Sequence, residues 1–383
     1  MIYLDNAATS FPKPISTVRE VVRCMTEYCG NPGRGGHSLS LEAAKKVFEC
    51  RLESAELVGA PTPEGIVFTE NTTHALNLVV KGLLKRGDHV IISDMEHNSV
   101  LRPIARLANE GIIEYSVFPT RTPDKNRAQS PSLICASIAQ RIKPNTRAVI
   151  CSHASNVCSM SLPLERIGAL CKKHGLYFIV DAAQSAGHLP INMEKMNIHA
   201  LCAPSHKALY GPQGAGFAAL SPTIAEKLDT LTEGGNGVNS FELFMPENPP
   251  ERYEAGTLPT PSIAGLCEGI KYVKSVGITA VKEYESELYI YARELLMNTK
   301  GITVYAPEHV GPVLLFNQEG KSSEALARAL NEYGICTRAG YHCSPLAHKT
   351  LGTDDGGAVR ISFGMFNQKS DVEALVKALS EIK

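Results

Sequence analysis

The strongest chemical signal in this chain comes from a lysine and an aspartate upstream of it. Lys207 lies in the loop Pro204-Ser205-His206-Lys207-Ala208-Leu209-Tyr210-Gly211, between two apolar runs. A lysine amine attacks an aldehyde only when desolvation or neighbouring positive charge lowers its pKa, and an enclosed loop supplies that setting. Ser205 and His206 can bind phosphate, and the nearby glycines permit close backbone approach. Upstream, Leu176 to Val180 reads as a buried parallel strand that ends in Asp181. Ligands of open α/β sheets bind at the carboxyl ends of strands, and a pyridinium nitrogen suits a carboxylate there. A lysine taken alone is more often an exposed turn residue. Paired with Asp181, it describes a pocket for pyridoxal 5'-phosphate (PLP).

Three further places carry candidates. Thr72 and Thr73 stand at a strand-to-helix turn, where free backbone N–H groups, the helix dipole and two hydroxyls converge on a phosphate site; simple helix capping is the alternative. Arg360 follows a short apolar strand, and its guanidinium suits a carboxylate; a surface salt bridge is the alternative. Cys343 lies in Arg338-Ala339-Gly340-Tyr341-His342-Cys343-Ser344-Pro345. A sulfur nucleophile must be accessible and partly thiolate, and Arg338 and His342 are expected to supply positive charge beside it, whereas an arbitrary cysteine is more often buried and inert.

The segments Val180-Asp181-Ala182-Ala183-Gln184 and Ser205-His206-Lys207 resemble the fold-type I PLP enzymes of the class V aminotransferase group, and more narrowly the cysteine desulfurases and selenocysteine lyases. Tyr3-Leu4-Asp5-Asn6-Ala7-Ala8-Thr9, Arg338 to Cys343 and Val359 to Phe363 extend the resemblance over the whole chain. It implies an α/β fold with a mostly parallel seven-stranded sheet flanked by helices, plus a smaller α+β domain. The expected division is 13–268 for the large PLP-binding domain, with 1–12 and 269–383 forming the small one.

The resemblance also implies roles. His97 stacks on the cofactor ring and moves protons, Asn156 lies near the phenolic oxygen and the substrate, and Gln184 bonds that oxygen. Thr72, Thr73 and His206 hold the phosphate, with Thr257 reaching across a homodimer interface. Arg360 grips the substrate carboxylate, with Arg338, His37 and Arg34 facing the substrate. From residue types alone, a structural histidine at His97, an Asx-turn at Asn156 and a plain connecting loop at Arg34 and His37 stay open. Pro204 occupies the position where the family often has serine, which leaves the phosphate contact of Ser205 open. Tyr341 stands where histidine is common. The implied reaction converts L-cysteine to L-alanine and leaves a persulfide on Cys343 for an outside thiol or a protein acceptor. Selenocysteine lyase, cysteine sulfinate desulfinase, class V transaminase and a non-enzymatic sulfur-carrier scaffold are the competing readings.

The elements that must position these residues alternate between strand and helix. Strands are expected at 65–69, 89–93, 112–118, 148–152, 176–181 and 215–220, and helices at 41–58, 100–109, 133–142 and 164–174. Residues 15–29 carry a helical stripe through Val18, Val21, Val22 and Met25. Residues 120–130 read as a polar surface excursion and 234–248 as a long glycine-rich stretch. Helices at 263–276, 280–298, 323–333 and 371–382, with short strands at 313–316 and 358–362, complete the chain.

With 383 residues, two domains are the natural expectation. The formal net charge is −1 with both signs interspersed, so no footprint for nucleic acid or an anionic membrane is present. Eleven cysteines without C-x-x-C pairs fit neither a disulfide framework nor a tetrahedral zinc site, and no metal is expected. No leader pattern or spanning apolar stretch is visible, and a cytoplasmic protein is the expectation.

Overall fold

The computed structural model describes residues 1–33, 35–122 and 127–382. Arg34 and part of the expected excursion at 120–130 therefore lie outside the described residues. In chain order the strands are β1 (Ile2–Tyr3), β2 (Ile66–Thr69), β3 (His89–Ser93), β4 (Glu114–Phe118), β5 (Thr146–Ser152), β6 (Tyr177–Asp181), β7 (Ala200–Pro204), β8 (Gly216–Leu220), β9 (Ile302–Tyr305), β10 (Val313–Gln318), β11 (Ile335–Cys336) and β12 (Val359–Ser362).

Seven of them form one sheet in the order β2-β8-β7-β6-β5-β3-β4. The pairs β3/β4, β3/β5, β5/β6 and β6/β7 are parallel, while β8 runs antiparallel to both β7 and β2. Two reversals restore direction, so β2, β3, β5, β6 and β7 all end at the same edge. At that edge Asp181 ends β6, and Thr72, His97, Asn156 and Lys207 follow their strands. Side chains alternate across the sheet: Val149, Cys151, Phe178 and Val180 enter one core, and Ala148, Ile150 and Ile179 enter the other. Helices on both faces cover these cores, as continuous apolar strands require.

The smaller unit joins the antiparallel sheet β12-β10-β9 to the parallel pair β1/β11. Leu4, Leu288, Phe316, Ile361 and Leu375 share its core. The helix Thr260–Val276 runs without interruption across the expected division at 268, and its Cys267 and Ile270 both belong to a large-sheet core. It ends at Gly277, where φ is +92° and the next helix, Ile278–Met297, begins.

The helix Ile15–Arg23 forms as its spacing predicts, continuing as a π-helix over Cys24–Tyr28. Its orientation is the reverse of what an apolar stripe suggests: Thr17 and Glu20 are buried, whereas Val18, Val22 and Met25 face out.

Helix Thr260–Val276 braces the loop after Lys207. A Cβ on Gly269 would collide with the Leu209 carbonyl and stand 2.9 Å from the Gly211 nitrogen. Alanine there gains about 1 kcal/mol of helix propensity. Two backbones that cannot separate impose overpacking of about 1–3 kcal/mol, which outweighs that gain. Gly269→Ala is expected to lower the melting temperature by a few degrees in a calorimetric scan; an unchanged or raised Tm would show that the helix can slide off the loop.

Candidate active site

A cavity of about 230 Å³ opens at the carboxyl edge of the large sheet, and Thr72, Thr73, His97, Asn156, Asp181, Gln184, His206, Lys207, Arg338, Cys343 and Arg360 all line it. The reactive candidates thus converge from both units of the fold.

Lys207 stands on a loop stapled to the N-terminal segment. The His206 carbonyl accepts from Thr9 Oγ1 at 3.1 Å, Ser10 N at 2.9 Å and Lys13 Nζ at 2.9 Å, and the Lys207 carbonyl accepts from Ser10 Oγ at 2.8 Å. Burial pushes the Lys13 amine down to about 8. Nothing in the local sequence singles out Lys13 or Ser10. The Lys207 amine is likewise pushed down to about 8, mainly by burial, with Arg360 and Arg338 adding to the effect and Asp181 opposing it.

Asp181 is 4% exposed, and its Oδ1 accepts from Ala183 N at 2.9 Å. Burial raises its pKa. A carboxylate in that position, with one backbone donor, fits a cationic ring nitrogen. Gln184 spends one N–H on the Ala7 carbonyl at 3.0 Å and keeps the other.

The helix Thr72–Leu83 starts at an Asn71 cap whose Oδ1 accepts from His74 N at 3.0 Å. The N–H groups of Thr72 and Thr73 precede the intrahelical ladder and remain available to an anion. Thr72 Oγ1 and His206 Nδ1 are buried without a hydrogen-bond partner, while Thr73 Oγ1 meets Ser99 Oγ at 2.7 Å. Orphaned donors beside a helix start make a cradle that fits a phosphate. Ser205 does not line the cavity, and its buried hydroxyl, which has no hydrogen-bond partner, packs under Gly211. The shift of one residue relative to the family pattern turns it inward.

His97 caps the helix Asn98–Asn109, its Nδ1 accepting from Ser99 N at 3.0 Å, so the proton resides on Nε2. Burial, then the charges of Lys207, Arg102, Arg338 and Arg360, push it down to about 4. It is a neutral ring near pH 7.

Arg360 is 2% exposed, pairs with Asp5 Oδ1 at 2.7 Å through Nη2 and gives Nη1 to the Asn156 carbonyl at 3.0 Å. Asp5 is a partner that the sequence reading quoted only within a motif. Arg338 lies opposite Arg360 across an isolated bridge, and its side chain is exposed to the cavity.

Cys343 is exposed, and of the eleven cysteines it alone lines this cavity. The expectation that His342 supplies positive charge to it is corrected by the structure. His342 Nε2 donates to the Arg338 carbonyl at 3.1 Å, so Nδ1 accepts from His348 Nε2 at 3.1 Å; His348 Nδ1 in turn accepts from Thr353 Oγ1 at 2.7 Å. Burial, reinforced by Arg360, pushes His342 down to about 3. Both imidazoles are neutral, and the cations near the thiol are Arg338 and Arg360. Asn156 is committed to this loop through both side-chain heteroatoms, with one N–H to spare for the cavity.

His37 stands apart from this group. It is exposed and outside the cavity, and its Nδ1 accepts from Ser40 N at 3.3 Å to cap the helix Ser38–Val58. Thr257 is also exposed and outside the cavity of its own chain.

The class-V aminotransferase profile matches residues 2–375, and the chain belongs to that family, whose members are PLP enzymes. Similar proteins within it carry cysteine desulfurase names. A probable cysteine desulfurase of Methanothermobacter thermautotrophicus is 32% identical over 387 aligned positions, covering 100% of this chain and 94% of the relative. A cysteine desulfurase of Yersinia pestis is 30% identical, covering 100% and 93%. The apo structure of a cysteine desulfurase from Thermococcus onnurineus superposes with a TM-score of 0.91 at 32% identity, covering 99% of this chain and 94% of that one. The Escherichia coli cysteine desulfurase CsdA superposes with a TM-score of 0.87 at 27% identity, covering 99% and 94%.

The lowered pKa of Lys207 has a measurable sign. In cofactor-free protein, trapping of PLP on Lys207 by borohydride is expected to accelerate as pH rises through about 8, where the amine becomes neutral. Because Asp181 raises the Lys207 pKa, Asp181→Ala should move the midpoint to lower pH. A midpoint near the ordinary lysine value of about 10.4 would contradict the burial.

Proposed function

We propose that the protein is a PLP-dependent cysteine desulfurase that works as a homodimer, converts L-cysteine to L-alanine and receives the sulfur as a persulfide on Cys343. One observation carries this reading: the only cavity-lining cysteine shares its cavity with Lys207 and Asp181. The desulfurase names of the relatives support it.

Thr72, Thr73 and His206 would hold the cofactor phosphate, with Thr257 of a second copy completing the cradle. Asp181 would face the ring nitrogen, Gln184 the phenolic oxygen and His97 the ring face, with Lys207 carrying the aldehyde carbon. When bound, PLP supplies an electron sink for the pair left at the substrate α-carbon. Arg360 and Arg338 hold the substrate carboxylate and so orient the α-carbon toward Lys207. Freed from the aldehyde carbon when the substrate amine takes its place, the Lys207 Nζ, close to neutrality at physiological pH, takes the α-proton and can return it. The Cys343 thiolate attacks the substrate sulfur. An S–S bond forms, the carbon–sulfur bond breaks, and the electron pair stays with carbon, which is protonated to give alanine. The persulfide then leaves to an external thiol or a protein acceptor.

Exposed apolar side chains support the homodimer. Ile15, Val18, Val22 and Met25 on one helix, Leu41, Phe48 and Leu52 on the helix Ser38–Val58, and Phe241, Leu243 and Phe244 in the 234–248 stretch all face outward. Apolar exposure on that scale marks a surface meant to be covered. Eleven free cysteines suit a reducing compartment such as the cytoplasm. Among the described residues no helix is long and apolar enough to cross a membrane.

Alanine and sulfide are to be measured together from purified holoenzyme given L-cysteine. With a reductant both should accumulate; without one, alanine should stop at about one equivalent per site, because the persulfide blocks the next cycle. Cys343→Ala should reduce alanine release by at least about 100-fold. Persistent alanine release from that variant would favour a transaminase or another lyase, and a persulfide mapped to Cys158 or Cys336 would take the acceptor role away from Cys343.

Asp181→Ala is expected to lower turnover far more than cofactor retention, since the phosphate cradle and Lys207 still anchor PLP. Near-normal turnover would show that the carboxylate does not face the ring nitrogen.

A further inference from the structure

Asn156 joins the arginine that takes the carboxylate to the loop that presents the thiol. Its backbone carbonyl accepts from Arg360 Nη1 at 3.0 Å, its Nδ2 donates to the His342 carbonyl at 2.7 Å, and its Oδ1 accepts from Ser344 Oγ at 2.7 Å. The residues on either side of Cys343 therefore hang on one amide. A third bond, from Asn98 N to the Cys343 carbonyl at 2.7 Å, seats the loop on the first turn of the helix that His97 caps.

The loop needs such restraint. His342 and Cys343 are both left-handed, with φ of +50° and +58°. Each such residue carrying a Cβ costs roughly 1–2 kcal/mol and persists only where its surroundings dictate it. Asn156, His342, Ser344 and Arg360 are 7%, 5%, 0% and 2% exposed, so these bonds are made without competition from water. Arg360 also retains a buried Nε without a partner. A carboxylate arriving there meets the same guanidinium that holds the Asn156 backbone.

We propose that Asn156 is a positioning residue that couples carboxylate binding at Arg360 to the ordering of the Cys343 loop, so that the thiol is held in its reactive position when the substrate is seated. The inference rests on the reading of Cys343 as sulfur acceptor. Fixing Arg360 fixes the Asn156 main chain, and with it the origin of both side-chain bonds that hold the left-handed pair. A misplacement of about 1 Å at a reacting atom costs up to about 100-fold in rate, so loss of this restraint is readable in the sulfur-transfer step alone.

The test uses holoenzyme, with L-alanine as the carboxylate probe and Ser344→Ala and Asn156→Ala as variants. Ser344 lies outside the cavity, so its substitution removes one loop bond and leaves the lining intact. Amide hydrogen exchange is followed in the peptide spanning 339–347. In the natural protein, alanine should slow exchange severalfold. Ser344→Ala should exchange about tenfold faster at rest, the effect of one lost net hydrogen bond; Asn156→Ala, which removes two, should exchange faster still, and both should lose the response to alanine. In single turnovers, Ser344→Ala should retain exchange of the alanine α-proton within about threefold while persulfide formation on Cys343 falls about tenfold.

Unchanged amide exchange in both variants would overturn the coupling. A proportional fall in α-proton exchange and persulfide formation would do the same, because it would place the effect at the cofactor. Absence of any Cys343 persulfide in the natural protein would instead overturn the proposed function, and the amide-exchange comparison would still decide whether Asn156 orders the loop.

Discussion

Burying the Lys207 amine disfavours its charged form, and Arg360 and Arg338 add to that cost while Asp181 and Asp5 offset part of it. The balance leaves an amine near neutrality, which is the form that reacts with an aldehyde and accepts a proton. Holding it there requires a loop that cannot swing out to water. Three residues, Thr9, Ser10 and Lys13, donate to the His206 carbonyl, Ser10 Oγ also meets the Lys207 carbonyl, and the helix Thr260–Val276 approaches the following turn through Gly269. The N-terminal segment that supplies these donors is itself bonded to the smaller unit, through β1 on β11 and Asn6 Nδ2 on the Ser362 carbonyl at 3.0 Å. The packing of one unit on the other thus reaches the amine through a few hydrogen bonds.

The thiol side of the cavity follows a different physical logic. Its loop is held by neutral groups: two imidazoles locked in one tautomeric chain, a serine hydroxyl and an asparagine amide. Burial keeps His342 uncharged, so the loop geometry is insensitive to protonation near neutral pH, and positive charge comes from arginines, which do not titrate there. His97 fits the same pattern: a capping bond sets its tautomer, and burial with surrounding cations keeps it neutral.

Much of this architecture is legible in the order of residues. Apolar runs of strand length alternating with helical periods predict the doubly covered sheet, and a carboxylate at the end of Leu176 to Val180 marks the edge where a ligand sits. Lys207, Asp181, Thr72, Thr73, His206, Arg338, Arg360 and Cys343 are recognisable by type and neighbourhood and Gln184 through the family resemblance, and the structure brings every one of them to a single cavity. The short strands β9 and β11 and the helix Pro345–Leu351 were not read, because elements of that length carry too few residues to show a period.

What the sequence by itself determined was the set of reactive groups and the elements that carry them, since both depend on residue type and local spacing. Tertiary structure decided which way each group points and which partners it meets. His37 has the right type but caps a helix on the surface, Ser205 is turned beneath Gly211 by a shift of one residue, and the apolar stripe at Val18, Val22 and Met25 faces outward because Thr17 and Glu20 are turned inside. His342 reads as a cation until its buried partners fix it as a neutral donor and acceptor. Asp5 and Asn156 acquire their roles only where Arg360 meets them, across separations of 355 and 204 residues. Local sequence does not encode such contacts, because charge state and orientation are set by the groups that folding brings alongside.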